Sequence, residues 1–180
     1  MWILFSTHFA FGQSGIVLKL GPALVGDINL ASVEKDAFHQ KAYHVGLNAR
    51  IGPYGLYLSP GIHYYGVNID STQAFNFFEN QAKYHIIKVP LNLGYKMFIT
   101  RKIKFRIEAG ADVNYVLLID DHPYANYETV NDVYFGLNMG LGFDFAKITL
   151  DLSYESGLTN TLVTKDTKTN YLSFSLGYFF

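Results

Sequence analysis

Cysteine is missing altogether from the 180 residues, which excludes disulfide staples and thiolate metal sites. Charge is scarce as well. Asp, Glu, Lys and Arg make up 16% of the chain, below the roughly 25% of soluble domains, so a water-facing surface would be short of solubilising groups. The formal net charge of -1 supplies no basic field, and nucleic acid is not expected as a partner. No run reaches the roughly 18 consecutive apolar residues of a membrane-spanning helix, which removes helical membrane proteins and leaves β ones. Tryptophan occurs once, at Trp2, so any aromatic belt must be built from Tyr and Phe.

Those two are plentiful, with 15 Phe and 14 Tyr, and they fall on a period of two. In YLSFSLGYFF, Leu172, Phe174, Leu176, Tyr178 and Phe180 alternate with Tyr171, Ser173, Ser175, Gly177 and Phe179. Such a period puts the two sets on opposite faces of a strand. Tyr43, Val45, Leu47, Ala49 and Ile51 alternate in the same way with Ala42, His44, Gly46, Asn48 and Arg50. The longest alternation sets Ile103, Phe105, Ile107, Ala109, Ala111, Val113 and Tyr115 against Lys104, Arg106, Glu108, Gly110, Asp112 and Asn114. With the segments around Ile16–Leu24, Leu56–Tyr65, Ile87–Tyr95, Val133–Phe145 and Ile148–Glu155, the chain holds eight strands.

The connections carry a second rhythm. They are long at 26–41, 67–82, 118–132 and 156–168, and short near Pro53, at 98–102 and at 146–147. An even number of antiparallel strands with long loops at one end and short turns at the other is the signature of an outer-membrane barrel, with the turns periplasmic and the loops extracellular. The predicted fold is all-β, an eight-stranded antiparallel up-and-down transmembrane β-barrel. The apolar set, roughly forty large side chains, is too bulky for the interior of an eight-stranded barrel, and therefore faces lipid. The other set, rich in Gly, Ser and Asn, faces the lumen. Pro22, Pro60 and Pro90 lie inside strands, where a missing donor predicts bulges.

On these residues the chain resembles a known group. A final strand of alternating apolar residues ending in Phe, as in YLSFSLGYFF, looks like the terminal signal that bacterial outer-membrane proteins present to their barrel-assembly machinery. YHIIKVPLNLGYKM followed by KIKFRIEAGADVNY is similar to the outer-membrane β-barrel domain family of Bacteroidetes-type, Gram-negative bacteria, which includes PorT-like proteins and small OmpA-like eight-stranded barrels. The resemblance implies the bacterial outer membrane as location and its lipid as surroundings. Its motifs are patterns rather than catalytic signatures.

The opening MWILFSTHFAFGQ is apolar and has small residues, Ala10 and Gly12, before Gln13, which suits a cleavage site. Residues 1–12 are expected to be a signal peptide, and 13–180 the barrel domain; the missing basic start leaves a first strand as the alternative.

The expected lumen carries Lys19 and a network of Arg50, Lys88, Lys104, Arg106, Glu108, Asp112, Asp144, Asp151 and Glu155. Enclosed charges must be paired or solvated, and eight strands leave no room for an aqueous channel, so a plug is expected rather than a pore. Pairing Ile51 with Leu56 across GPYG sets His44 opposite His63; pairing Tyr95 with Ile103 brings Glu108 near Lys88 and Arg106 near Asn92. The two His could share a metal ion, but no third ligand is evident, and a hydrogen-bonded pair with no metal or cofactor is expected. At the rim, Asp120, Asp121 and His122 could activate water, as in omptin-type proteases, but those have more strands, and loop acids before Pro are commonly turn residues. The Ser, His and Glu that lipid A deacylases place on the outer face have no counterpart among the outward positions named above. Phe75, Phe77 and Phe78 in FNFFENQAKY are the candidate contact surface of a loop. The expected role is structural or recognition, not enzymatic, with an envelope protein as partner. The alternatives are a narrow porin-like channel, a soluble lipocalin-like carrier and a rim-site hydrolase.

Overall fold

The computed structural model describes residues 14–26, 40–52, 55–68, 84–98, 100, 103–119, 131–161 and 168–180. The expected signal peptide, the rim residues Asp120, Asp121 and His122, and the loop residues Phe75, Phe77 and Phe78 lie outside the described residues.

Each alternating segment is a strand: β1 (Gly15–Gly26), β2 (Gln40–Arg50), β3 (Leu56–Asn68), β4 (Tyr84–Phe98), β5 (Ile103–Ile119), β6 (Val133–Phe145), β7 (Ile148–Gly157) and β8 (Asn170–Phe179). Every strand pairs antiparallel with its neighbours in sequence, and β1 pairs with β8 from Val17–Phe179 to Gly26–Asn170, so the sheet closes into an eight-stranded barrel. Closure removes the free edges that an open sheet would expose, which is what a sheet in lipid requires.

The faces divide as the period requires. Leu91, Leu93, Leu137, Met139 and Leu141 are exposed on the outside, Met139 at 62%, whereas Arg50, Arg106, Asn114 and Ser59 on the other parity are enclosed. This surface is the reverse of the one a soluble carrier needs. Leu, Ile, Val and Met occupy the middle of the outer face, and aromatic rings stand toward its ends. Tyr95, Phe143, Phe145, Tyr178 and Phe180 lie near the short connections, and Tyr115 and Phe135 near the long ones. Such rings suit the membrane–water interface, where one edge is apolar and the other wet. The Tyr178 and Phe180 rings meet edge to face with centroids 5.0 Å apart.

Two registers differ from the sequence expectation. The β2–β3 ladder closes at Ile51–Leu58, so His44 pairs with Tyr65 and His63 with Gly46, and the two His are not opposite each other. The reversal takes two more residues than GPYG alone, because Leu56 and Tyr57 already pair with β4; Gly55, at φ 94°, adopts a backbone conformation that L side chains rarely do. Between β4 and β5, Tyr95 pairs with Ile107 rather than Ile103, placing Gly94 opposite Glu108 and Lys96 opposite Arg106. Both strands run on to a tight turn in which the Thr100 N–H donates to the Ile103 carbonyl at 3.1 Å. Both shifts are even, so no side chain changes face.

The prolines also depart from expectation, for none shifts the register. Pro22, Pro60 and Pro90 keep ladder partners on one side, Tyr43, Leu91 and Asp112, and have no rung on the other, so the missing donor is absorbed as a gap. The bulge among the described ladders falls instead between His85 and Ile86, opposite β5.

Candidate functional site: a lumen closed by cross-barrel bonds

Inward positions of the eight strands converge on the barrel axis, and their side chains bond from strand to strand as well as along a strand. Arg106 on β5 is the hub, with 0% of its side chain exposed. Its Nε donates to Asp144 on β6 at 2.9 Å, Nη1 to Glu108 at 2.6 Å and to Tyr57 Oη on β3 at 3.2 Å, and Nη2 to Asp151 at 2.5 Å and Thr149 at 2.6 Å on β7. Tyr57 passes a bond of 2.5 Å on to Glu108. Arg50, on β2, reaches Asp144 at 3.0 Å and Thr149 at 3.3 Å, and Lys19 on β1 pairs with Asp151 at 3.2 Å. Planar guanidinium groups, with several donors fixed in one plane, suit this many-partner role better than ammonium groups.

A second level lies nearer the long connections. Lys88 on β4 pairs with Glu155 on β7 at 2.5 Å and sits over the rings of Tyr65 and Tyr171. Asn114 donates to the same Glu155 at 2.5 Å, and Asn138 donates to Asp112 at 3.2 Å. Between the levels, His44 Nε2 bonds Ser175 at 2.9 Å, while His63 Nε2 donates to Asn48 Oδ1 at 2.8 Å. The two imidazoles stand 6.0 Å apart, centroid to centroid, each held by a different partner. They border a cavity of about 50 Å³ that Lys19, Lys88, Asn92 and Asp151 also line, room for about four waters.

Toward the long connections the lumen turns apolar. Ala23, Val25, Ala42, Val67, Ile86, Val116 and the rings of Tyr65, Tyr134 and Tyr171 pack into one buried cluster, and Tyr134 and Tyr171 share a hydroxyl–hydroxyl bond of 2.6 Å. This second closure is absent from the sequence expectation. Its signal was available: continuing each strand's inward parity to its outer end runs from charged into apolar residues.

The structure thus brings together Arg50, Arg106, Glu108, Asp144 and Asp151 in one group, and Lys88, Asp112 and Glu155 in another. Glu108 belongs to Arg106 and not to Lys88, as the shifted β4–β5 register demands. Lys104 stands half-buried at the margin of the first group. The network expected from sequence leaves out Tyr57, Thr149 and Lys96, all buried and inward, although parity puts Tyr57 and Thr149 on the polar face. Lys96 follows Gly94 on the polar parity and was legible; Tyr57 was legible as inward, but not as a partner of Arg106 and Glu108.

Glycines make the room. A Cβ on Gly142 would run into the Arg106 guanidinium and Asp151, and one on Gly94 into the Tyr57 ring. Small residues on one stave are therefore the space into which large polar groups of the next stave fold.

A closed antiparallel barrel of eight strands with an apolar outside and a polar, filled inside defines a small bacterial outer-membrane protein. Residues 10–163 match the family model described as outer membrane protein beta-barrel domain, and the chain belongs to that family. No curated protein matches it. Among solved structures, Neisserial surface protein A is similar with a TM-score of 0.56 at 15% identity, over 93% of this chain and 98% of that one. The outer membrane enzyme PagL is similar with a TM-score of 0.57, also at 15% identity, over 90% and 98%. At such identity these likenesses describe the fold alone.

Proposed function

We propose that this protein is a non-conducting, non-enzymatic barrel that anchors its long connections at the outer-membrane surface, where they recognise another envelope component. The observation that supports this most directly is Arg106, whose contacts reach β3, β6 and β7 across the lumen and occupy the space a channel would need. With the interior committed to holding the staves together, the long connections are what remains to meet a partner. Residues 1–12 serve as the export signal, 13–180 form the barrel domain, and YLSFSLGYFF engages the barrel-assembly machinery.

Hydrolysis at the outer face has less support. Among the described residues His85 is the outward His, and its Nδ1 bonds the Tyr64 hydroxyl at 2.5 Å, an interfacial aromatic pairing, while its ladder partners are Gly66 and Leu118 rather than Ser or Glu.

The test is replacement of Phe75, Phe77 and Phe78 together by Ser, followed by crosslinking in intact cells. The variant is expected to reach the outer membrane folded, with the crosslinks of the parent chain lost. An unchanged crosslink pattern would count against recognition through that loop.

A further inference from the structure

At the end of the barrel that carries the short connections, a second cavity of about 210 Å³ opens beside the Arg106 group. Among the described residues Arg50, Lys96 and Lys104 line it with a single carboxylate, Asp144, and with Phe179, whose ring lies 5.6 Å from the Arg50 guanidinium carbon. That carboxylate is already committed: Oδ1 accepts from Arg106 Nε at 2.9 Å and Oδ2 from Arg50 Nη1 at 3.0 Å. Lys96 is 4% exposed, and its ammonium rests over the Tyr57 ring, 4.7 Å from the centroid. Among the described residues no carboxylate stands within 4.0 Å of it. Arg50 is as deeply buried, and its Nε finds no acceptor among the described residues.

An enclosed ammonium without an anion is costly, as is an enclosed guanidinium N–H without an acceptor. Both lie against the same cavity, so one anionic group placed there would answer both. Several convergent donors of fixed and flexible type suit a tetrahedral oxyanion, whose oxygens can each accept more than one bond. The Phe179 ring suits an ester substituent on that oxyanion. The volume is below that of sites for drug-sized ligands and admits one such group rather than a nucleotide.

We propose that this mouth of the barrel is a binding site for a phosphate-type anion, carried either on a lipid headgroup or free in solution, with Lys96 and Arg50 as its principal donors. The site is separate from the long connections and independent of the role assigned to them.

The full chain, refolded in a non-ionic, phosphate-free detergent, is titrated with phosphatidylglycerol and separately with inorganic phosphate, and occupancy is read by native mass spectrometry. One saturable anion per barrel is expected, and Lys96→Met should weaken it by about tenfold, the loss of one charged contact. Lys147→Met, which removes an exposed cation at the same end, should bind as the parent does. Lipid displaced by phosphate identifies the phosphate group itself as what is read; lipid that phosphate cannot displace identifies the headgroup with its ester as the ligand. Should Lys96→Met fail to fold on a heat-shift gel, Lys104→Gln at the rim takes its place with the same expectation. No saturable binding of either anion, or equal weakening in Lys147→Met, overturns the proposal.

Discussion

Arg106 shows most plainly what one side chain does in this molecule. It is fully enclosed and holds three carboxylates, Glu108, Asp144 and Asp151, within 2.5 to 2.9 Å. Replacing it by Met removes their shared partner and leaves carboxylates enclosed, a loss of about 3 to 5 kcal/mol by the general behaviour of buried pairs broken on one side. The urea midpoint of the refolded barrel measures it, and a midpoint within error of the parent would mean that the group does not hold the barrel. Lys88 and Glu155 allow a cleaner separation. Lys88→Met alone should destabilise more than Lys88→Met combined with Glu155→Gln, because the second change removes the stranded charge; the coupling from the double-mutant cycle is the readout. The charged residues were legible in the sequence by parity alone. Their pairing was not, because a two- or four-residue change of register keeps every face and moves every neighbour.

At the scale of the strand, glycine positions set how closely staves approach. A Cβ at Gly21 would meet the backbone carbonyl of Phe174, which cannot swing aside, whereas one at Gly140 has the Leu152 carbonyl at 3.4 Å and Ser153 beyond. Gly21→Ala should therefore cost about 1 to 3 kcal/mol, as overpacking does, and Gly140→Ala much less. Equal midpoints for the two variants would contradict the packing described. Strand existence, order and facing were all readable, since alternation over ten or more residues has few other causes. The prolines misled because a missing donor can be taken up by leaving out rungs, as at Gly21 and Pro22 beside Phe174 and Ser175, with no bulge needed. The true bulge at His85–Ile86 has no Gly or Pro to mark it, and sequence offers no handle on it.

For the whole molecule, facing decides everything. The outer surface is apolar because lipid is its solvent, and the lumen is filled because eight staves leave little space and each enclosed charge needs a partner. Leu91 is exposed mid-strand on that outer surface, opposite Ala111 at the middle of β5. Leu91→Arg should impair insertion, at about 2 to 4 kcal/mol for a charge near the midplane, while Leu91→Ile should insert as the parent does. Recovery of folded protein in vesicles compares them, and normal insertion of the Arg variant would reverse the assigned faces. The apolar closure around Tyr134 and Tyr171 adds a second barrier in series with the ionic one, so a change that opens one level leaves the other shut. The measurement that bears most directly on the closed lumen is conductance of the purified barrel in planar bilayers. Silence at every holding potential that the bilayer tolerates is the predicted result; discrete steps whose size scales with salt concentration would show a continuous aqueous path and contradict it.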